Sequence, residues 1–394
     1  MKLLHVSDLH IGKRLMNMSL AQDQRHILSQ IARIAQERSV DALLVAGDIY
    51  DKAVPSADAV TMLDSFLTQM VNLGIPVLAI PGNHDSAERV AYVQGLLEHH
   101  GVSFSPVYDG SLKKVRLEDA YGPVDVWLIP FLKPGDVRRF FPEKDLGDSY
   151  TAALEAVLGA CPIDENVRNV AVSHQLVTAL GKEPDRADDE IRLGGVDNVD
   201  YTVYAQFDYV ALGHVHRPQR VGRDTVRYSG SPLKYSQSEA RFAKSAVVVS
   251  LGEKAAGAQA GDCASFELVP LEPLHDVREV RMPLDDVLAL GGTEGAAGQD
   301  YVHVVLTDEH PKLDALSKVR DVYPNMLALE YECSLAEPAQ QQAPAVENPE
   351  EVDMATLFAW FFEEQTGTAL DDEQLRLVGR AVEKAELQGT EAAR

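Results

Sequence analysis

The sequence predicts an α/β protein followed by a smaller α+β domain and a tail of amphipathic helices. Three observations lead there. From residue 1 to about 250, short β-branched apolar runs alternate with amphipathic stretches, as strands and helices do when laid on a sheet. From about His275 the rhythm restarts over a shorter span. Residues 336–351, mostly Pro, Gln, Ala and Glu, then show no apolar period at all.

In chain order, strands are expected at Lys2–Val6, Ala42–Ala46, Val77–Ile80, Val124–Ile129, Asn169–Val172, Tyr209–Leu212 and Ala246–Leu251. Apolar residues recurring at three and four predict helices over Ser29–Arg38 and Ala57–Leu73. The stretch LGEKAAGAQAGDC, between the apolar runs Val247–Val249 and Phe266–Val269, predicts an edge hairpin with a long polar tip. The second domain is expected as strand Val277–Met282, helix Leu284–Leu290, strand Tyr301–Leu306, helix Lys312–Val322 and strand Met326–Glu332. Boundaries follow at 1–272, 273–335, a flexible linker 336–351 and a tail 352–394. In the tail, Met354, Leu357, Phe358, Phe361 and Phe362 fall at helical spacing, and a second helix is expected around Leu375–Leu387. Two tethered helices cannot bury so aromatic a stripe alone, so it packs on the parent chain or, the favoured reading, docks on a partner.

Composition limits the function classes. With 394 residues, 45% hydrophobic and 25% charged, the chain reads as an ordinary soluble protein with room for more than one domain. No run approaches a membrane span, and Met1 leads straight into a strand, so neither a span nor a signal peptide is expected. Cys161, Cys263 and Cys333 are far apart and form no metal or disulfide pattern, which fits a reducing cytoplasm. The 36 Lys and Arg against 61 Asp and Glu give a net charge of −25. Counterion release from phosphates drives most DNA binding, so this balance weighs against autonomous DNA binding.

The strand ends carry the chemistry. Ser7-Asp8-Leu9-His10 follows the first strand, Gly47-Asp48-Ile49-Tyr50-Asp51 the second and Gly82-Asn83-His84-Asp85 the third; Ser173-His174-Gln175 and Gly213-His214-Val215-His216 follow two later ones. In an open α/β sheet such residues share the carboxyl edge, where sites form. Taken singly, an Asp-x-His or a lone loop histidine is unremarkable; the joint occurrence in this order is not. Imidazole plus carboxylate suits Mn, Fe or Zn, and Asp8, His10, Asp48, Asn83, His84, His174, His214 and His216 are too many for one ion. Two ions bridged by a carboxylate would use nearly all of them, and Asp48 is the expected bridge, because it follows its strand most closely and lies between the two groups in sheet order.

This pattern resembles the calcineurin-like metallophosphoesterases. More narrowly, SDLHIGKRL, VAGDIYDKAVPS, IPGNHDS, the Ile129-Pro130-Phe131 triplet, ALGHVHRPQ and YSGSPLKYS resemble the SbcD nuclease subunits of bacterial SbcCD complexes. The resemblance implies a four-layer metallophosphoesterase sandwich, two mixed sheets flanked by helices, ahead of the α+β domain and helical tail. It implies two divalent cations, with manganese favoured: one held by Asp8, His10, Asp48 and His216, the other by Asp48, Asn83, His174 and His214. His84 would then be no ligand but the group that stabilises the transition state or protonates the leaving oxygen, with Asp85 holding its ring. Asp51 would orient the loop or a ligand, or serve the loop alone.

The resemblance further implies a DNA nuclease acting on ends, hairpins and single strands, 3′–5′ exonuclease on duplexes and endonuclease on single strands. It would work with the SMC-like ATPase SbcC docked on residues 352–388, as a homodimer within a heterotetramer in the nucleoid-bearing cytoplasm. The second domain would cap the DNA, and residues 56–73 and 88–100 are the expected dimer region. A cyclic-nucleotide phosphodiesterase or phosphatase with the same metal motifs is the alternative, and a non-catalytic scaffold a more distant one. Arg217 and Arg220, with Lys113, Lys114, Arg116, Arg138 and Arg139, are candidate phosphate contacts.

Overall fold

The computed structural model describes residues 1–92, 94–185, 197–332, 354–366, 369–371 and 374–382. The expected linker at 336–351 and the end of the tail lie outside them. Lys2–Val6, Ala42–Ala46 and Val77–Ile80 form as expected, and Gly122–Ile129, Arg168–His174, Tyr209–Gly213 and Ser245–Leu251 contain or extend the other expected strands.

These strands build two six-stranded mixed sheets. The first is ordered Ala264–Pro270, Ser245–Leu251, Lys2–Val6, Ala42–Ala46, Val77–Ile80, Val102–Phe104. The second is ordered Gln219–Val221, Arg223–Tyr228, Tyr209–Gly213, Arg168–His174, Gly122–Ile129, Lys113–Asp119. In the first, the four strands from Lys2–Val6 to Val102–Phe104 run parallel, and Ser245–Leu251 runs antiparallel to both of its neighbours. In the second, both edge strands are antiparallel to a parallel centre. The sheets stack face to face through Leu3, Leu44, Leu78 and Ile80 against Val126, Leu128, Val172 and Ala211, all buried. Helices Ala21–Glu37 and Ala57–Asn72 cover the outer face of the first sheet, with Ile27, Ile31, Met62 and Phe66 inward. Helix Tyr150–Gly159 covers the second through Leu154 and Val157. The four layers explain why central strands such as ALLVA are apolar throughout: both of their faces are covered.

Departures from expectation have local causes. The first helix begins at Ala21 rather than Ser29, because buried Asp23 and Gln24 interrupt its apolar period. Lys113–Asp119 was hidden by its charges, which are tolerated on an edge strand.

In the C-terminal unit, Val277–Met282, Tyr301–Leu306 and Met326–Tyr331 form a parallel three-stranded sheet. Helices Leu284–Gly291 and Ala315–Val322 pack on it around Val280, Val287, Val304, Val319 and Tyr323. Its tie to the main body is polar as well as apolar. Asp23 accepts from the Tyr301 hydroxyl at 2.9 Å and the His275 backbone at 3.0 Å, and Lys234 pairs with Asp276 at 2.8 Å. In the tail, helix Met354–Thr366 exposes Phe358, Trp360 and Phe361, and residues 374–382 are helical. Among the described residues no helix is long and apolar enough to cross a membrane.

His5 lies between the sheets, its Nδ1 accepting from the Tyr209 hydroxyl at 3.0 Å and its Nε2 donating to the Leu212 carbonyl at 3.2 Å. Burial pushes it down to about 3 from 6.5, against the raising effect of the Leu212 carbonyl. The folded protein therefore disfavours the imidazolium: this stability is complete above about pH 6.5 and is lost as pH falls toward 3. In urea unfolding between pH 7 and 4.5, His5→Gln is expected to remove up to about 1.4 kcal/mol per pH unit from the slope of stability against pH. An unchanged slope would show that His5 does not contribute.

Candidate metal centre

The stacked sheets place their carboxyl edges side by side. Here the backbones almost touch, and His174 Nδ1 donates to the Ala46 carbonyl at 2.8 Å across the gap. A Cβ on Gly213 would lie 1.8 Å from that carbonyl oxygen, and one on Gly47, at φ +87°, 2.3 Å from His174 Nδ1. These glycines thus serve close approach as much as tight turning.

The loops are strained where they carry chemistry. Asp8, His10, Asp48 and His214 have φ of +53°, +42°, +48° and +104°, conformations that side-chain-bearing residues rarely adopt. Cross-loop hydrogen bonds hold them: Asp8 N–H to Gly47 O at 3.0 Å, His10 N–H to Asp48 O at 2.9 Å, His214 N–H to Asp8 Oδ1 at 3.0 Å. The strain turns the side chains of three separate loops into one volume.

All eight donors expected at the strand ends meet there. Ligand-type atoms of Asp8, His10 and His216 lie within 4.8 Å of one another, as do those of Asp8, Asp48 and His174. Nε2 of His10 stands 3.2 Å from Nε2 of His216 and 3.7 Å from Asp48 Oδ2. Asp48 Oδ2 is 3.3 Å from His174 Nε2, and Asn83 Oδ1 lies 3.0 Å from His174 Nε2 and 2.9 Å from His214 Nδ1. Asp48 therefore faces both groups, and Asp8 belongs to both. His84 sits at the open side, its Nε2 4.0 Å from Asp48 Oδ2 and its side chain 37% exposed.

This set fits divalent cations. Two imidazole nitrogens facing each other at 3.2 Å, a buried His10 Nδ1 with no hydrogen-bond partner among the described residues and two buried carboxylates want positive charge between them. The protein answers part of that need with a proton. Burial alone would lower His174, but the charge and hydrogen bond of Asp48 raise it to about 9. Burial would raise Asp48, yet His174, His10 and His84 hold it well below the carboxylate range.

One expectation needs correction. Asp85 does not hold the His84 ring. Its carboxylate instead accepts the backbone N–H groups of Ile49, Tyr50 and Gly82, each at 2.9 Å, and so clamps the loop that carries Asp48. Three main-chain donors outbid a single imidazole for a nearly buried carboxylate. It is Asp51 that orients His84, and it does so through its backbone carbonyl, 3.1 Å from Nδ1, while its carboxylate pairs with Lys13 at 3.1 Å. The basic candidates have partners within the chain. Arg217 pairs with Asp185 at 2.7 Å, Arg220 with Asp224 at 2.7 Å and Arg138 with Asp148 at 3.1 Å; Lys113 pairs with Glu98, and Lys114 and Arg116 with Asp125. Arg139 stacks on Phe140, 4.6 Å from the ring centroid.

Sequence reading missed Glu239. Buried to 1% exposure, it accepts from His216 Nδ1 at 3.0 Å, while its other oxygen meets Lys244 and Ser231. Burial would raise its carboxyl, but His216 and Lys244 hold it down to about 2. Gln24 and Tyr235 were missed likewise: Gln24 Nε2 donates to the His10 carbonyl at 2.7 Å and the Tyr235 hydroxyl donates to that of Leu9. YSGSPLKYS marked this region without revealing those roles, and SQSEARF offers no spacing that singles out its acid.

The calcineurin-like phosphoesterase family matches residues 1–218, and the Type 5 capsule protein repressor C-terminal domain matches residues 273–366. A relative from Staphylococcus saprophyticus, named as the SbcD component of the SbcCD nuclease, is 30% identical, covering 84% of this chain and 84% of its own. Its namesake from Staphylococcus epidermidis is 29% identical, covering 84% of this chain and 85% of its own. Among solved structures, a dimetal phosphatase from Danio rerio is 11% identical, covering 69% of this chain and 99% of its own, with a TM-score of 0.38.

Glu239 fixes the ring that presents Nε2 of His216 to the cluster, so Glu239→Gln is expected to weaken divalent-cation binding about 10- to 100-fold in calorimetric titration. It also leaves the Lys244 ammonium without its carboxylate, so titration is run at a temperature where circular dichroism shows the variant folded. Unchanged affinity would make Glu239 a purely structural residue.

Proposed function

This chain belongs to the calcineurin-like phosphoesterases and, within them, to the SbcD components of SbcCD nucleases, and from that premise we propose a Mn2+-dependent DNA nuclease that works on ends and hairpins. The observation that carries the reading is the convergence of donors from five strand ends around Asp48. One cation is assigned to Asp8, His10, Asp48 and His216, the second to Asp48, Asn83, His174 and His214. Bound there, two divalent cations supply neutralisation of the phosphodiester and a water of lowered pKa.

The chain's own residues supply the rest. Ala46 O accepts a hydrogen bond from Nδ1–H of His174 and Glu239 one from Nδ1–H of His216, so each ring turns Nε2 toward the cluster. Asp85 keeps the Asp48 loop from drifting. His84 donates Nδ1–H to the Asp51 carbonyl, which fixes the ring so that a proton on Nε2 can pass to the departing sugar oxygen. The enzyme acts as a 3′–5′ exonuclease on duplexes and an endonuclease on single strands, as a cytoplasmic, nucleoid-associated homodimer.

The domain division is proposed as a nuclease unit over 1–272, a DNA-capping unit over 273–335 and a partner-docking tail. Exposed Phe358, Trp360 and Phe361 support docking of residues 352–388 on an SbcC-type ATPase. A second reading, hydrolysis of small diesters, is favoured by one observation: the internal pairing of Arg217, Arg220 and Arg138.

Cleavage of a labelled hairpin-ended duplex with Mn2+, beside a small phosphodiester, tests the choice; activity on the small diester alone, with partner and ATP present, would favour the second reading. His84→Ala is expected to keep both metal-binding steps in calorimetry and to lose about 10²- to 10⁴-fold in rate. Loss of metal binding would make His84 a ligand. Truncation after Leu335 is expected to abolish co-purification with the ATPase while Mn2+-dependent hydrolysis persists; retained co-purification would remove the tail from the interface.

A further inference from the structure

The metal cluster has an aromatic wall that the metal assignment does not use. Phe131, just beyond strand Gly122–Ile129, is half-buried with its ring near-parallel to His214 (18°, centroids 6.5 Å apart) and edge-on to His174 (6.3 Å). His84 lies elsewhere on the cluster, 4.9 Å from His10. The two groups thus contact different members of the histidine cluster.

The segment that carries Phe131 is held still. The Phe131 N–H donates to the Pro81 carbonyl at 3.2 Å, just ahead of the Asn83–His84 turn, and buried Gln175 donates to the Leu132 carbonyl at 3.1 Å. The Lys133 N–H donates to Asp136 at 3.1 Å. Two residues on from the ring, the exposed ammonium of Lys133 lies 6.0 Å from its centroid. Unlike the paired basic residues, Lys133 makes no ion pair among the described residues. At 6.0 Å its cation–π contact is at the limit of attraction, so an incoming base displaces it at little cost.

We propose that Phe131 and Lys133 form a nucleotide subsite: the base flanking the scissile phosphate stacks on Phe131, and Lys133 pairs with a neighbouring phosphate. This rests on the nuclease reading and specifies how so acidic a chain selects a polynucleotide over a small diester. Aromatic stacking accepts any base, so the subsite selects for polymer rather than sequence. A single unpaired cation beside the ring positions the backbone without a basic surface.

The test compares the full-length wild type, Phe131→Ala, Phe131→Trp and Lys133→Ala with Mn2+ on a single-stranded oligonucleotide and on methyl p-nitrophenyl phosphate. Phe131→Ala is expected to raise KM for the oligonucleotide about 5- to 150-fold more than for the small diester. Phe131→Trp is expected to restore it. Lys133→Ala is expected to flatten the salt dependence of oligonucleotide KM by about 0.7, one phosphate contact. Equal losses on both substrates, or an unaltered salt slope, would overturn the subsite and leave Phe131 as packing for the His214 ring. A wild type that cuts only the small diester would overturn the nuclease reading itself.

Discussion

The site depends on one contact between the sheets, where His174 of the second donates to Ala46 O of the first while Gly47 and Gly213 leave room for it. Without that approach the carboxyl edges would stand a normal face-to-face distance apart, about 10 Å, too far for Asp48 to meet both His10 and His174. The apolar layer of Leu44, Ile80, Val172 and Ala211 holds the sheets together, and the absence of two Cβ atoms lets them converge at this edge. The left-handed backbone at Asp8, His10, Asp48 and His214 follows from the same crowding.

Charge is managed by pairing. The chain carries 61 acids against 36 bases, and Arg217, Arg220, Arg138 and Arg116 each meet a carboxylate. Exposed pairs of this kind add little stability, so their main effect is to quench the field a polyanion would otherwise meet. The expectation that composition weighs against autonomous DNA binding rests on this same imbalance of charge.

The C-terminal unit is linked to the site by neighbours in sequence. Asp23, which receives Tyr301 and His275, precedes Gln24, which holds the His10 carbonyl. Lys234, which donates to Asp276, precedes Tyr235, whose hydroxyl donates to the Leu9 carbonyl. The same two stretches therefore anchor the second unit and the first metal-facing loop. Both were opaque to periodicity, because buried polar residues such as Asp23 and Gln24 imitate a solvent-facing turn.

By itself the sequence determined the layered architecture and the kind of chemistry. Apolar runs such as ALLVA and VLAI are local signals of covered strands, and Asp8, Asp48, Asn83 and His174 are legible because each lies at or just beyond a strand's end. Tertiary structure alone decided which group each of them serves. Asp85 turned from the adjacent His84 to the backbone of Ile49 and Tyr50, far back along the chain, because three amide donors converge there. Glu239 became the partner of His216, and Arg217 that of Asp185, by placements that no spacing encodes. A strand's burial follows from its own residues; a side chain's partner follows from which distant loops the stacked sheets bring within hydrogen-bond reach.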